Sequence, residues 1–356
     1  MRGLKDRIRQ IAPYVPGEQP KERDIIKLNT NECPYPPSPM LLAALKEFPG
    51  EDLRRYSDTE AGDLVQALSD VYGVPADQIF VGVGSDEVLA LAFQTFFTEL
   101  SDGEHLLFPD VTYSFYPVWA ELYHIPVRAV PTDDGFKIRR EDYIGQQDAG
   151  GIIFPNPNAP TSICEPLAFV EEIVRSNPDK VVIVDEAYID FGGESAVSLI
   201  ERYENLLVVQ TGSKSRAMAG LRVGWAFGSR MLIDALKAVK FSFNSYTMNS
   251  PAIALGAAAI RDVDYWKELC RRIISTRERL SSGLRELGFS FPESSANFLF
   301  AKHETISGEE VFQALKARKI YVRHWNAPRI GDHLRITVGT EEETNALLAA
   351  LREIVG

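Results

Sequence analysis

The feature that most constrains the fold of this chain is a regular alternation of short apolar runs with amphipathic segments. Between residues 78 and 229, seven apolar runs have the length and composition of buried strands. Segments such as SDEVLALAFQTFF and EPLAFVEEIVRS, which lie between them, have the apolar spacing of helices. Strand and helix alternation of this kind predicts a largely parallel α/β sheet with right-handed crossovers.

The pattern changes near Pro251, which indicates a second unit. A long amphipathic helix is predicted from Tyr265 to Leu287. Three further strands (296–302, 320–325, 333–339) alternate with two further helices (307–319, 341–355). We therefore predict a proline-rich N-terminal arm at 1–40 that joins the small domain or a dimer contact, a large domain at 41–250, and a smaller α/β domain at 251–356.

Composition excludes several classes of function. The net charge of −12 argues against a surface for nucleic acid or anionic membranes. The sequence contains no run of about 18 apolar residues and no signal-peptide pattern. Three scattered cysteines are typical of reduced cytosolic thiols, and five histidines without HExxH spacing predict no metal site. We expect a cytoplasmic protein that binds small molecules.

Unusual polar residues stand where the predicted strands end, the edge at which open α/β sheets bind ligands. Ser85 and Asp86 follow the first run and open a helix, so they form either an anion site or an ordinary helix cap. Asp185 ends a wholly apolar run. A carboxylate there is costly to bury unless it meets a cation, although a capping role is the alternative.

A single lysine, Lys214, follows the apolar run NLLVVQT. It is either a surface side chain or a partly buried amine with a lowered pKa. Ser213 precedes it, Arg222 lies eight residues on, and Tyr188 stands near Asp185. An amine, a carboxylate, a phenol, an anion cradle and a guanidinium in one site suit pyridoxal phosphate, a phosphorylated aldehyde with a basic ring nitrogen.

VDEAY followed by TGSKSRAMAGLRVG resembles the fold-type I pyridoxal-phosphate aminotransferases, of class II. Eight further segments, in order along nearly the whole chain, are similar to the histidinol-phosphate aminotransferases within that group: APY, LNTNECP, RRYSD, GVGSDE, NPNAPT, ANFLF, YVRHW and LRITVGT. The resemblance implies a mostly parallel seven-stranded sheet with helices on both faces in the large domain, and a smaller α/β C-terminal domain.

The resemblance also implies roles for the catalytic residues. Lys214 would bond to the cofactor aldehyde and then move a proton between substrate and cofactor. Asp185 would pair with the ring nitrogen, and Tyr188 would donate a hydrogen bond to the ring oxygen. The remaining cofactor contacts are implied to be the phosphate ligands Arg222, Ser213 and the N–H groups of Ser85 and Asp86, the stacking ring of Tyr113, and Tyr56, which reaches the neighbouring site of a homodimer.

The implied reaction is transamination between histidinol phosphate and 2-oxoglutarate, with glutamate as the other amino donor, in histidine biosynthesis. Five residues match the substrate positions of the family: Tyr14, Asn31, Asn297, Arg323 and Arg335. Two guanidinium groups suit a phosphate or a carboxylate. An aromatic-amino-acid aminotransferase and a threonine-phosphate decarboxylase remain alternatives, since they share most of these motifs.

The sequence departs from the family pattern at three places. Relatives usually have Asn-Asn-Pro-Thr-Gly where this chain has Asn158-Ala159-Pro160-Thr161-Ser162. Either Asn158 takes the contact with the cofactor ring, or Tyr188 makes it alone. Cys33 replaces a more usual Asn, and Ser215-Arg216 replaces the common Ala-Phe pair after the lysine.

Overall fold

The structure, a computed structural model, describes residues 3–4, 7–22 and 24–356. Its strands are β1 (Ile26–Lys27), β2 (Ile79–Val83), β3 (His105–Pro109), β4 (Val127–Val130), β5 (Ala149–Pro155), β6 (Val182–Asp185), β7 (Leu206–Thr211), β8 (Val223–Gly228), β9 (Phe289–Ser290), β10 (Phe298–His303), β11 (Ile320–Tyr321), β12 (Arg323–His324) and β13 (Leu334–Thr337). Its α-helices are α1 (Pro39–Glu47), α2 (Gly62–Tyr72), α3 (Gly84–Phe96), α4 (Tyr116–Tyr123), α5 (Leu167–Ser176), α6 (Arg230–Phe243), α7 (Ser250–Arg261), α8 (Val263–Glu286), α9 (Gly308–Ala317) and α10 (Glu341–Val355).

A seven-stranded sheet forms the centre of the molecule, in the order β2-β8-β7-β6-β5-β3-β4. All seven apolar runs predicted as strands belong to it, and six strands run in one direction, with β8 opposed. The mostly parallel sheet predicted from the sequence is thus confirmed. Because β8 pairs with both β2 and β7, the ends of β2 and β7 and the start of β8 lie side by side.

Helices cover both faces of this sheet, because successive side chains of a strand point to opposite faces. On β5, Ile152 and Phe154 pack into one core cluster, while Ile153 packs into the other. The first cluster receives residues of α2, α5 and α7, and the second receives residues of α3, α4 and α6. Burial on both faces explains why these strands have nearly continuous apolar runs.

The C-terminal part contains a four-stranded antiparallel sheet, in the order β12-β13-β10-β9. Its core includes side chains from α8, α9 and α10. Helices α9 and α10 each begin with a capping box, formed by Ser307 with Glu310 and by Thr340 with Glu343. The prediction of one strand over 320–325 was wrong. The segment forms two short strands, because β11 pairs with β1 of the arm and β12 pairs with β13.

The arm therefore joins the C-terminal part through the β1 and β11 pair. Helix α7, although it lies beyond residue 250, packs into the core of the central sheet. The division into 1–40, 41–250 and 251–356 stays a prediction, and residues 1–2, 5–6 and 23 of the arm lie outside the described residues. Within the described residues, no helix is long and apolar enough to cross a membrane, and no cluster of three or more His, Cys, Asp or Glu side chains suits a metal ion.

Candidate active site

Lys214 lies in the turn between β7 and β8, and its side chain is part-buried. Its Nζ donates to the carbonyl of Thr30 in the arm at 3.2 Å and lies 5.8 Å from the centre of the Tyr188 ring. Burial and the positive charge of Arg335 lower the pKa of Lys214 to about 8, against the opposing effect of Asp86 and Glu32. The lysine is therefore an amine that is partly neutral near pH 7, which decides between its two sequence interpretations.

Asp185 ends β6 on the neighbouring strand and is 4% exposed. Its carboxylate accepts hydrogen bonds from the Tyr116 hydroxyl at 2.9 Å and from the Ala187 N–H at 3.2 Å. Neither donor carries a positive charge. Burial therefore raises the pKa of Asp185 to about 6, and the nearby Asp86 adds to that effect. A protonated ring nitrogen is the kind of cation this carboxylate lacks.

The phenol of Tyr188 is fixed by the arm. Asn31 Nδ2 donates to the Tyr188 hydroxyl at 2.9 Å, and the Asn31 carboxamide oxygen accepts from Thr337 Oγ1 at 3.0 Å. Burial raises the pKa of Tyr188, so the hydroxyl keeps its proton at neutral pH. Because the oxygen already accepts from Asn31, that proton is free to be donated into the site.

A polar corner forms where β2 and β8 meet. Arg222 Nη2 donates to Asp86 at 2.9 Å, the Ser213 hydroxyl lies 3.5 Å from Arg222 Nη1, and the Tyr113 hydroxyl donates to Asp86 at 2.8 Å. Arg222 has a left-handed backbone (φ 57°), a strained conformation for a non-glycine residue. Gly84, at the start of α3, has a left-handed backbone (φ 77°) that favours glycine, and a Cβ there would overlap the Arg222 guanidinium.

The start of α3, whose first N–H groups have no partner within the helix, thus lies beside a guanidinium and a hydroxyl, and these donors together suit a phosphate. Of the predicted phosphate ligands, the structure brings Ser85, Asp86, Ser213 and Arg222 together. The sequence did not predict that the Asp86 carboxylate pairs with Arg222. It also missed Tyr116, which holds Asp185, although Tyr116 stands only three residues after the predicted Tyr113.

Arg335 and Asn297 lie in the C-terminal part, and Arg335 acts electrostatically on Lys214. Arg335 Nη2 donates to the Asn29 carbonyl at 2.8 Å, while its Nε is buried without a hydrogen-bond partner. Asn297 is fully buried; its Nδ2 donates to the Asn31 carbonyl at 3.0 Å, and its Oδ1 has no partner. Buried polar atoms without partners are costly, so both atoms would gain from a polar ligand.

The predicted Arg323 and Tyr14 are both engaged by contacts of the arm. Arg323 donates to the carbonyls of Val15 at 3.0 Å and Pro16 at 3.1 Å. The Tyr14 ring stacks on Phe115, with ring centres 4.0 Å apart. Tyr14 is still close enough to influence Tyr113 and Arg335 electrostatically. The arm thus spans the site from the large sheet to the C-terminal sheet.

Asn158 lies in the loop after β5 and is 2% exposed. Its Nδ2 donates to the Val111 carbonyl at 2.9 Å and to Thr161 Oγ1 at 3.1 Å, while its Oδ1 is 3.4 Å from Thr112 Oγ1. Both of its donor hydrogens are therefore used within the protein.

Tyr56 is not part of this cluster in a single chain. Its side chain is 82% exposed and stacks on Tyr246, with ring centres 4.4 Å apart. A cavity of about 760 Å³ also lies elsewhere, between residues 134–137, 163–166 and 290–295. The polar side chains described above therefore collect at the strand ends and not around this cavity.

Comparison with known proteins gives the family. The family model for aminotransferase class I and II matches residues 23–351. The chain belongs to this family. Its aminotransferase activity and its use of pyridoxal phosphate, both predicted from the sequence, are thereby confirmed.

Two curated relatives are similar to this chain over nearly its whole length. "Histidinol-phosphate aminotransferase 1" of Methylococcus capsulatus is 54% identical over 98% of this chain and 96% of its own length. "Histidinol-phosphate aminotransferase 1" of Hydrogenovibrio crunogenus is 52% identical over the same shares. The solved histidinol-phosphate aminotransferase of Sinorhizobium meliloti, in complex with pyridoxal 5'-phosphate, matches with a TM-score of 0.85 and 23% identity over 94% of this chain and 92% of that chain. That structure supports the fold.

The residues of this chain fit the cofactor. Asp185 is a buried carboxylate whose two hydrogen bonds come from neutral donors, Lys214 is an amine with a lowered pKa, and Arg222 with Ser213 faces the start of α3. These are partners for a ring nitrogen, an aldehyde and a phosphate, respectively. The ligand contacts of individual residues remain proposals.

Proposed function

We propose that this aminotransferase interconverts histidinol phosphate and 2-oxoglutarate with imidazole-acetol phosphate and glutamate, a step of histidine biosynthesis. The observation that carries the proposal is the Lys214 amine, whose pKa is lowered by the positive charges of both Arg335 and Arg222. Two guanidinium groups that act on one amine suit a phosphorylated cofactor and an anionic substrate. The identity of more than 50% with histidinol-phosphate aminotransferases over nearly the whole chain supports the substrate.

Each catalytic residue has a role that follows from its environment. Bound pyridoxal phosphate supplies an electron sink that makes the substrate Cα–H acidic. Lys214, with a pKa of about 8, is poised to accept that proton and return it near neutral pH. Asp185 holds positive charge at the ring nitrogen. Tyr188, whose oxygen accepts from Asn31, donates its proton toward the ring oxygen.

Substrate recognition is assigned to the C-terminal part. Arg335 offers a buried Nε without a partner, and Asn297 offers a buried carboxamide oxygen. A guanidinium binds either a phosphate or a carboxylate, so one residue serves both histidinol phosphate and glutamate. Tyr14 contributes one further donor, which favours the phosphate, and Arg323 orders the arm that carries Tyr14.

We also propose a homodimer in which Tyr56 reaches the phosphate of the neighbouring site. Tyr56 is 82% exposed, and two apolar residues near it or its stacking partner Tyr246, Leu53 and Phe243, are 62% and 70% exposed. Lys240 holds the adjacent loop by donating to the Thr59 carbonyl at 2.9 Å. Exposed apolar side chains of this size suit a protein interface. We propose a cytoplasmic location as well, because the net charge of the chain and its three free cysteines suit that compartment.

The direct test is a half-reaction. The cofactor-loaded protein is mixed with histidinol phosphate, and the visible absorption of the cofactor is followed before and after 2-oxoglutarate is added. We expect conversion of the cofactor to the amine form and then its full recovery. Lys214→Ala should show no such conversion. Faster conversion by phenylalanine or tyrosine than by histidinol phosphate would favour the aromatic aminotransferase. Release of CO₂ from threonine phosphate would favour the decarboxylase.

A further inference from the structure

An ion pair between Arg216, just after the catalytic lysine in the chain, and Asp190 takes no part in the roles described above. Arg216, two residues after Lys214, donates from Nη1 to Asp190, which stands two residues after Tyr188. The Ser215 hydroxyl donates to the same Asp190 oxygen at 2.6 Å. Both residues that follow Lys214 are thus attached to the turn that carries Tyr188.

The pair is shielded from solvent. Arg216 is 2% exposed, and the side chain of Asp190 is 21% exposed. Arg216 Nη2 donates to the Tyr72 hydroxyl of α2 at 2.6 Å, and its guanidinium lies 3.9 Å from the centre of a Trp266 ring of α8. Because the Arg216 charge is buried, loss of Asp190 would leave it without its charged partner, which is costly.

The two turns joined by the pair are the ones whose geometry matters for proton transfer. The backbone continues from Lys214 into Ala217, which has a left-handed conformation (φ 53°), and the N–H of Ala217 donates to the Lys214 carbonyl at 3.3 Å. On the other side, the Phe191 N–H donates to the Tyr188 carbonyl at 3.1 Å. A contact between these two tight turns therefore fixes the separation of the Lys214 amine and the Tyr188 ring.

We propose that Arg216 and Asp190 are positioning residues, which hold the Lys214 turn against the Tyr188 turn and so set where the amine stands among its charged neighbours. This inference rests on the proposed function only in assigning proton transfer to Lys214. The charged groups that act on the amine, Arg335, Arg222, Asp86 and Glu32, are unchanged in the variants below.

The test uses the cofactor-loaded full-length protein and needs no substrate in its first part. The pH midpoint of the change in visible absorption reports ionisation at the Lys214 nitrogen. Arg216→Met releases the Lys214 turn from the Tyr188 turn, so the amine moves among these charged groups and the midpoint should shift by about half a pH unit. Asp190→Asn weakens the same contact and should shift the midpoint in the same direction, whereas a direct charge effect would give opposite shifts in the two variants. Arg202→Met is the matched control, because Arg202 pairs with Glu171 on the surface with its side chain 57% exposed.

The second part measures both half-reactions. In Arg216→Met, kcat should fall about 10- to 100-fold, because a misplaced amine transfers the proton poorly. KM should stay within about threefold of the parent value, since Arg335 is untouched. Arg216→Lys restores the charge but not the contact with Tyr72, so its kcat should lie between those of the parent and Arg216→Met.

Unchanged midpoints in both Arg216→Met and Asp190→Asn would overturn the proposal, even if the melting temperature falls, because the pair would then only stabilise the fold. If Arg216→Met does not fold, Asp190→Asn and Ser215→Ala decide the question by the same midpoint. A parent protein that does not react with histidinol phosphate would contradict the proposed function, while the absorption titration would still test the ion pair.

Discussion

Asp185 should destabilise the cofactor-free protein at neutral pH, and Asp185→Asn should reverse this. Burial raises the pKa of Asp185 from its usual 3.8 to about 6 in the folded state. Below about pH 4, the carboxyl is protonated in both the folded and the unfolded chain and contributes no difference. As the pH rises from 4 to 6, the unfolded chain releases the proton first, so the free energy of unfolding falls.

The magnitude follows from the two pKa values. A difference of about two pH units between the folded and the unfolded carboxyl corresponds to roughly 3 kcal/mol at pH 7 and above. Asparagine removes this cost without losing hydrogen bonds. Its oxygen can accept from the Ala187 N–H, and its amide can donate to the Tyr116 hydroxyl, which can reverse its direction.

Glu186, the next residue, provides a matched control. Burial raises the pKa of Glu186 to about 7. Its carboxylate accepts hydrogen bonds from the Ser195 hydroxyl, the Ala196 N–H and Gln210 Nε2. The Gln210 Nε2 group can only donate. If an amide replaces that carboxylate, its NH₂ group faces another donor, either Gln210 Nε2 or the Ala196 N–H. Glu186→Gln should therefore lose stability, although it removes the same charge.

The assay is urea unfolding of the cofactor-free proteins at pH 4 and pH 7.5. Asp185→Asn should be more stable than the parent by up to roughly 3 kcal/mol at pH 7.5 and about equal to it at pH 4. The same variant with cofactor should transaminate far more slowly than the parent. The view that this carboxylate needs a positively charged partner would be refuted by a variant no more stable than the parent at pH 7.5. A variant with parental single-turnover rates would refute it as well.

Other variants test the remaining assignments. Lys214→Ala should lose at least roughly 10²–10⁴-fold in kcat, and borohydride should leave a cofactor-derived mass on the Lys214 peptide of the parent; a label on another lysine would contradict the assignment. Arg335→Lys keeps the charge but not the fork, so kcat/KM should fall roughly 10- to 100-fold in both half-reactions, and a loss confined to one substrate would speak against a shared anion site. Tyr14→Phe should lower kcat/KM mainly for histidinol phosphate, and equal losses for glutamate would remove its assignment to the phosphate. Tyr56→Ala mixed with Lys214→Ala should regain activity in the hybrid dimer, where one site has both residues; no regain would place Tyr56 outside the neighbouring site.

The sequence predicted the elements whose physics is local. The seven central strands follow from apolar runs that are buried on both faces, and α8, predicted over 265–287, spans Val263–Glu286. Strand ends could be read for the same reason, so Asp185, Lys214 and the start of α3 were predicted to meet at one edge. The roles of these residues came from the family resemblance.

Partners that are distant in sequence could not be read in this way. Arg222 lies 136 residues from Asp86, and Asn31 lies 157 residues from Tyr188. No local period encodes such a contact, because it depends on how whole elements pack. The segment 320–325 shows the same limit, since its division into two strands is caused by the arm, which pairs with β11 but not with β12.

The alternatives at Asn158 can be separated by counting donors. A contact with the oxygen of the cofactor ring needs an N–H or O–H group to donate. Both hydrogens of Asn158 Nδ2 are used, by the Val111 carbonyl and by Thr161, so the amide has none left without opening its own loop. Tyr188 has a free proton, because its oxygen accepts from Asn31. This count supports Tyr188 as the sole donor to the ring oxygen, with Asn31 orienting it, and it assigns Asn158 to holding the loop after β5.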